Sequence, residues 1–172
     1  MARRPVRVRG FAYRGLHRYF LTTCTYRRTP YFSDPRHASG LSTRISPIFR
    51  EYSFDVLAYC VMPDHVHILL EGLSEEADFR KAVRVWKLRT GHAWRLSNEV
   101  PLWQIGYWER VLREDDDTRA VVRYVLQNPV RTGLVAQHGD YQWTGSARWS
   151  LNELAEHAGD WEPPWKPRSG QV

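Results

Sequence analysis

The order in which strand-type and helix-type segments follow one another narrows the possible folds of this chain more than any other property. Segments rich in β-branched and aromatic residues, a composition typical of strands, lie at residues 19–26, 54–62 and 65–71 and within 103–112. Apolar residues recur at helical spacing over residues 75–95 and 115–128, and more weakly over 36–52, where Pro47 interrupts the pattern. The order is therefore strand, helix, strand, strand, helix, strand, followed by a further helix.

This order predicts an α+β fold, specifically a ferredoxin-like sandwich in which an antiparallel sheet carries its helices on one face. Pro63 and Asp64 are expected to form the turn that joins the second and third strands into a hairpin. We expect the last helix to open at Asp115–Asp117, where carboxylates favour the positive end of the helix dipole. Pro129 should then end that helix at Asn128.

The 172 residues suit a single domain of ordinary size. We interpret residues 1–18 as a basic N-terminal arm, residues 19–150 as the folded domain and residues 151–172 as an irregular C-terminal tail. No segment resembles a signal peptide, and no apolar run approaches the roughly 20 residues of a membrane span, so we expect a cytoplasmic protein. Two cysteines are too few for a disulfide framework or a cysteine-rich zinc site.

The formal net charge of +6 points to a polyanionic partner. Most of the excess is arginine, whose planar guanidinium matches the geometry of phosphate, although basic composition alone is a weak indication of nucleic-acid binding. The predicted DNA contacts belong to the arm and to the helix at 75–95: Arg3, Arg4, Arg7, Arg9, Tyr13, Arg14, Arg80, Arg84 and Lys87. Tyr13 would stack on unpaired bases. The alternative for the charged residues is a solvated surface without a partner.

His65 and His67 lie two residues apart within the apolar segment HVHILLE. Because side chains two apart in a strand point to the same face, both imidazoles should lie on one face, with Val66 on the other. Two imidazoles so placed form half of a metal site, and we expect surface ligands whose loss leaves the fold intact. A His-x-His pair is a weak motif by itself, since zinc hydrolases use it too and chance pairs occur.

Tyr124 lies on the predicted helix 115–128 but away from its apolar stripe, which Val122, Val125 and Leu126 form. Asn128 follows one turn later on the same face as Tyr124. A tyrosine and an amide in this arrangement could serve together as nucleophile and metal ligand. The alternative for this helix, taken alone, is a half-exposed aromatic without a function.

These residue types fit one reaction. A phenol, with a pKa near 10, is a poor nucleophile until it is deprotonated, and the negative charge of a phosphodiester repels it. A divalent cation held by the histidines would neutralise that charge and orient the phosphorus. An oxygen ligand beside two imidazoles suits Mg²⁺ or Mn²⁺ better than a closed zinc site. The product, a covalent phosphotyrosine, retains the bond energy for rejoining and therefore suits strand transfer.

Two segments of the chain resemble the signatures of a known family. Val61–Leu70, VMPDHVHILL, is similar to the His-hydrophobic-His (HUH) signature of the Y1 tyrosine transposases of the IS200 type. Tyr124–Val135, YVLQNPVRTGLV, resembles the tyrosine-helix motif of their REP-associated branch, and the segments WQIGYWERVLRED and DYQWTGSA also look like that branch. The resemblance covers roughly residues 10–150. The two motifs together, in this order, are far more specific than either alone.

The resemblance implies a role for each matching residue. His65 and His67 would be metal ligands, Asn128 a third polar ligand, and Tyr124 the nucleophile that takes the 5′-phosphate and frees a 3′-hydroxyl. It also implies the same sandwich fold and a substrate of single-stranded or hairpin DNA, which in the REP-associated branch is a repetitive extragenic palindrome. Relatives of this kind act as a monomer or a homodimer.

Asp64 departs from the family pattern, which usually has Asn there, and the added carboxylate would either strengthen metal binding or cap the turn. The resulting hypothesis is a metal-dependent single-stranded-DNA endonuclease and strand transferase. One alternative is a domesticated protein that binds hairpin DNA without cutting it, which a covalent DNA adduct would exclude. The other is a zinc hydrolase, for which only Asp64 lies beside the histidines as a further ligand, and which the metal content would reveal.

Overall fold

The computed structural model describes residues 10–112 and 118–158 of the chain. The strands of these residues are β1 (Arg18–Cys24), β2 (Phe54–Met62), β3 (His65–Gly72), β4 (Trp108–Leu112) and β5 (Thr144–Gly145). Their α-helices are α1 (Pro35–Arg50), α2 (Phe79–Arg95), α3 (Thr118–Arg131) and α4 (Leu151–Ala158). None of these helices is long and apolar enough to cross a membrane.

The strands form one antiparallel sheet in the order β4-β1-β3-β2-β5. The first four strands, together with α1 and α2, have the element order and strand order of a ferredoxin-like sandwich. The predicted fold class is therefore confirmed. The hairpin of β2 and β3 turns at Pro63 and Asp64, as the sequence predicted, and pairs Met62 with His65.

Helices cover both faces of the sheet, which corrects the expectation that they share one face. Along β3, Val66, Ile68 and Leu70 belong to the core cluster that packs against α1 and α2. Leu69, on the opposite face, belongs to a second cluster that contains Val122, Val125 and Leu126 of α3 and Leu154 of α4. The ferredoxin-like half accounts for the first cluster. The second cluster forms because α3 and α4 return across the face that the hairpin leaves open.

Helix α1 is a full 16-residue helix despite its weak sequence pattern. The Asp34 side chain caps its N-terminus by accepting a hydrogen bond from the Arg36 amide at 2.9 Å, and Pro35 occupies the first turn, where its missing N–H is not needed. Pro47 lies in the last turn, so only the end of the helix loses a backbone bond. Burial of Ile45 and Phe49 offsets that loss, at about 1.5–3 kcal/mol for each side chain.

Helix α3 continues through Pro129 to Arg131, so the expectation that Pro129 ends it is wrong. The end is set instead by Gly133, whose φ of +73° is left-handed. The Gly133 amide donates to the Val130 carbonyl at 3.0 Å, and the Leu134 amide donates to the Pro129 carbonyl at 2.9 Å. This pair of bonds is a Schellman motif, which satisfies the last carbonyls of the helix. The predicted acidic start, Asp115–Asp117, lies outside the described residues.

The N-terminal segment packs against the core from Phe11 onwards, so the described part of the predicted arm belongs to the folded domain. Tyr13 is 1% exposed, and its ring lies 6.2 Å from the ring of Tyr19 and 6.1 Å from the ring of Phe79, which stack on each other. Its ring is therefore not available for stacking on a base, which corrects that prediction. Arg14 is exposed and forms an ion pair with Asp78 at 3.4 Å.

The predicted irregular C-terminal tail begins with a helix, α4. Ser150 and Glu153 form a reciprocal cap, in which the Ser150 amide donates to the Glu153 carboxylate at 2.8 Å and the Glu153 amide donates to the Ser150 hydroxyl at 3.3 Å. Ser-x-x-Glu is a recognised signature of a helix start, so the sequence did carry this signal. The buried side chains of Leu154 and Ala158 join the α3 side of the sheet.

Candidate active site

The imidazoles of His65 and His67 lie side by side at the start of β3. Their Nε2 atoms are 3.1 Å apart, and Val66 points into the opposite core cluster. The same-face arrangement predicted from the spacing is therefore confirmed. His67 is only 4% exposed and stacks on Phe20 of β1 at a ring distance of 5.5 Å. The expectation of two surface ligands is wrong for His67, which is a buried residue.

The outer nitrogens of both rings are fixed by neighbouring side chains. The Nδ1 atom of His65 is 2.6 Å from the Asp64 carboxylate, which in turn pairs with the exposed Arg28 at 3.1 Å. A carboxylate accepts from an N–H at this position, so in the neutral ring the lone pair lies on the Nε2 atom of His65. The Nδ1 atom of His67 is 2.9 Å from the Thr22 hydroxyl. Asp64 thus orients a histidine as well as lying in the turn.

Electrostatics keep His67 neutral. Burial, followed by the charges of His65 and Arg28, lowers the pKa of His67 to about 3, against a hydrogen bond that His67 donates to the Asn128 side chain, which raises it. Burial raises the pKa of Asp64, but the hydrogen bonds from His65 and Arg28 outweigh it, so the pKa lies below its usual range. A neutral imidazole beside an ionised carboxylate is the protonation state that binds a metal ion at neutral pH.

Packing of α3 on the sheet brings Tyr124 and Asn128 to the histidines. The ring of Tyr124 lies 5.4 Å from the ring of His67 and 5.7 Å from the ring of Phe20, edge-on to both. One turn later, the Nδ2 atom of Asn128 donates to the Tyr124 carbonyl at 3.0 Å, and the Asn128 side chain also hydrogen bonds to His67. Two residues singled out on a helix and two on a strand therefore meet in one place.

Four further residues shape the site and were missed in the sequence. Thr22 and Phe20 lie on β1. The sequence of this strand does not distinguish them from residues that only pack in the core. Arg28 follows β1, and the guanidinium of Arg131 lies 5.3 Å from the centre of the Tyr124 ring. Arg131 belongs to the same Asn-Pro-Val-Arg segment as Asn128. Its position one helical turn after Asn128 is the sequence feature from which its place in the site could have been predicted.

The side chains present fit a divalent cation. Two ligands at right angles on one ion, each about 2.1 Å from it, are about 3 Å apart, which matches the separation of the two Nε2 atoms. Within residues 10–112 and 118–158 no group of three or more His, Cys, Asp and Glu side chains is placed to hold a metal. Among the described residues, the Asn128 amide oxygen lies beside His67 and is the candidate for a third protein ligand. This ligand set leaves positions open for water or phosphate.

The predicted DNA contacts are only partly placed on the surface. Arg80 and Arg84 are exposed on α2, and Arg80 also lies over the Tyr13 ring at 4.3 Å. Lys87 has a different role, because its ammonium donates to the backbone carbonyls of Gln104 (3.0 Å) and Gly106. The predicted contacts of the first nine residues, Arg3, Arg4, Arg7 and Arg9, lie outside the described residues.

The chain is similar in sequence to one family and to two named proteins. The sequence profile of the family described as "Transposase IS200 like" matches residues 14–128, more than half of the chain. A REP-associated tyrosine transposase of Escherichia coli (strain K12) is 32% identical over 100 residues, which are 58% of this chain and 59% of that protein. A Haemophilus influenzae protein assigned to the same class is 28% identical over 144 residues, 76% of this chain and 80% of that protein.

A solved structure has the same fold. The structure of a REP-associated tyrosine transposase bound to a REP hairpin superposes on this chain with a TM-score of 0.64 and 26% sequence identity. The superposition covers 81% of each of the two chains.

Proposed function

Because this chain belongs to the IS200-like transposase family, we propose that it cuts and rejoins single-stranded DNA through a covalent tyrosine intermediate. Its relatives are named tyrosine transposases, so the chain belongs to a class of enzymes that transpose DNA. The observation that carries the finer proposal is the contact of Tyr124 with His67, in which a phenol that could attack phosphorus adjoins a pair of imidazoles.

The proposed cleavage is an in-line displacement at phosphorus. The Tyr124 phenol loses its proton, and its oxygen forms a bond to the phosphorus as the bond to the 3′-oxygen breaks. The 3′-oxygen takes up a proton and leaves as a hydroxyl. Rejoining is the reverse reaction, with a 3′-hydroxyl as nucleophile and the Tyr124 phenol as leaving group. Arg131, next to the Tyr124 ring, is placed to attract the phosphate charge.

A divalent cation belongs to this proposal, with His65, His67 and Asn128 as its protein ligands. Bound there, Mg²⁺ or Mn²⁺ would supply charge neutralisation and orientation of the phosphate. The chain's own contribution is to hold the ligands in place: Asp64 fixes the His65 ring, Thr22 fixes the His67 ring, and burial keeps His67 neutral.

The proposed substrate is hairpin DNA of the REP type. The solved relative that is bound to a REP hairpin supports this choice, as does the net charge of +6. A monomer or homodimer and a cytoplasmic location stay predictions.

The proposal is tested by incubating the protein with a hairpin that carries a single-stranded extension and a 5′ or internal label, with Mg²⁺ or Mn²⁺. Denaturing gels should show a shortened strand and a slower band of protein joined to DNA, and both should disappear with chelator. Binding without either product would establish instead a hairpin-binding protein that does not cut. Cleavage without any adduct would indicate hydrolysis by a metal-bound water.

Asp64→Asn should weaken metal binding while preserving the fold. The amide oxygen can still accept from the His65 Nδ1–H, but the negative charge and the ion pair with Arg28 are lost. Loss of a side chain that hydrogen bonds to a metal ligand lowers metal affinity about 10-fold. Calorimetric titration with Mn²⁺ measures the change directly.

Asp34→Asn is the matched control, since Asp34 caps α1 away from the histidines. It should leave Mn²⁺ affinity unchanged. Equal Mn²⁺ affinities for wild type and Asp64→Asn would show that Asp64 only stabilises the turn between β2 and β3.

A further inference from the structure

Trp108, the first residue of the edge strand β4, is 42% exposed. It lies opposite Thr22 of β1 in the register, and side chains that are opposite in an antiparallel pair point to the same face. Thr22 bonds to His67 on the α3 side of the sheet. Further along β4, Leu112 belongs to the core cluster on that side, as alternation with a period of two requires. The indole of Trp108 is therefore exposed on the face that carries the candidate active site.

The ring of Phe20 joins Trp108 to the proposed nucleophile. Phe20 lies 5.7 Å from the Trp108 ring and 5.7 Å from the Tyr124 ring, edge-on to both, and stacks on His67 at 5.5 Å. Phe20 is itself buried, so it forms a floor beneath the other rings. Trp108 and Tyr124 thus contact the same side chain, and a nucleotide bound at Tyr124 has its neighbour within reach of the indole.

Protection of the sheet edge does not account for an indole at this position. Edge strands are usually protected by charged side chains, and the exposed Arg110 supplies one two residues later on the same face. A second copy of this chain would bring the same positive charge to this edge, whereas a nucleic acid brings phosphates. Arg131, which lies over the Tyr124 ring, is also exposed. An exposed aromatic between basic side chains matches an unpaired strand, which presents both charge and base faces.

A stacked base would contribute to the reaction as well as to binding. In-line attack requires the reacting atoms to be held about 3–3.5 Å apart in the correct direction. Contacts to phosphate charge alone leave a flexible strand free to slide along the protein, whereas a base that is stacked on a fixed ring sets the position of the phosphate attached to it. The Trp108 ring is fixed by its strand and by Phe20.

We propose that Trp108 is the platform on which a base next to the scissile phosphate stacks, and that this contact positions the phosphorus for attack by Tyr124. The inference rests on the proposed function, which supplies the scissile phosphate. Because an indole recognises the flat face of a base and not its edge, the contact should accept any of the four bases.

The first test measures stacking without cleavage. The DNA is a hairpin whose single-stranded extension contains the mapped cleavage point, with the fluorescent base 2-aminopurine at one or the other position flanking it. Stacking on an indole quenches this base, so saturating Tyr124→Phe protein should quench one of the two probes. Adding Trp108→Leu should abolish the quenching. Leu73→Ala is the matched control, because Leu73 is 50% exposed and follows β3 at the end opposite His65.

The second test measures the positioning effect. Trp108→Leu should slow cleavage at saturating DNA about 10-fold, within the range expected for loss of one stacked base. Trp108→Phe retains a ring and should recover most of the rate. A substrate that lacks the base at the quenched position should be cut slowly, and at the same rate, by the wild type and by Trp108→Leu.

Two results would overturn the stacking inference while an adduct still forms. One is unchanged fluorescence of both probes, and loss of a dimer by Trp108→Leu in sedimentation would then assign the indole to a second copy. The other is a further loss of rate in Trp108→Leu on the substrate without the base, which indicates a structural role alone. Absence of any adduct with the wild-type protein would instead remove the scissile phosphate, and with it the proposed function.

Discussion

Tyr124→Phe should bind hairpin DNA with wild-type affinity, yet give neither cleaved strand nor covalent adduct. The substitution keeps the ring and its packing on His67 and Phe20 and removes only the oxygen that would bond to phosphorus. Within the described residues the Tyr124 hydroxyl makes no hydrogen bond, so its removal leaves no buried group unpaired. We expect cleavage to fall more than about 1,000-fold, as it does when an enzyme loses its nucleophile.

Tyr141→Phe is the matched control for this variant. Tyr141 also lies against the α3 side of the sheet, but its hydroxyl donates to the Val61 carbonyl at 2.8 Å, and burial raises its pKa above the usual range. It should cut DNA and form the adduct normally. Mass spectrometry of the proteolysed adduct should place the nucleotide on the peptide that contains Tyr124. An adduct on any other tyrosine, or wild-type cleavage without one, would refute the assignment of the nucleophile.

His67→Gln should abolish metal-dependent cleavage without unfolding the protein. Glutamine is preferred to alanine here because His67 is 4% exposed and stacks on Phe20, so alanine would also leave a cavity. Loss of a side chain that only hydrogen bonds to a metal ligand lowers metal affinity by about 10- to 100-fold. Loss of the ligand itself should therefore lower the affinity more than about 100-fold. Calorimetry or electron paramagnetic resonance with Mn²⁺ gives the affinity independently of cleavage.

His138→Ala serves as the control, because His138 lies in a short turn after α3 and its imidazole makes no hydrogen bond to the described residues. It should bind Mn²⁺ and cut DNA as the wild type does. Thermal melting of both variants separates a loss of metal from a loss of fold. Normal cleavage by His67→Gln in the presence of chelator would eliminate the metal from the proposal.

Strands β1 to β4 could be predicted well because their signal is local. The bounds of β2 agree with the predicted ones, and β3 extends only one residue further. Alternation along a strand has a period of two, so the same local pattern also placed His65 and His67 on one face and Val66 on the other. Element order then led to the ferredoxin-like sheet without knowledge of any long-range contact.

Proline positions were harder to interpret from local rules. Pro47 and Pro129 both lie within helices that continue past them. The local rule counts the lost backbone bond and the steric conflict with the preceding turn. It omits the burial of neighbours such as Phe49 in α1 and Leu126 in α3, which stabilises the helices enough to keep them.

The sequence by itself determined the element order, the histidine pair and the presence of Tyr124 and Asn128 on one helical turn. Only the tertiary structure decided that α3 packs across the open face of the sheet, so that Tyr124 meets a histidine 57 positions earlier in the chain. It also decided that His67 is buried and that Tyr13 belongs to the core. These outcomes depend on which apolar surfaces bury one another, and that free energy comes from contacts between distant segments which no local pattern contains.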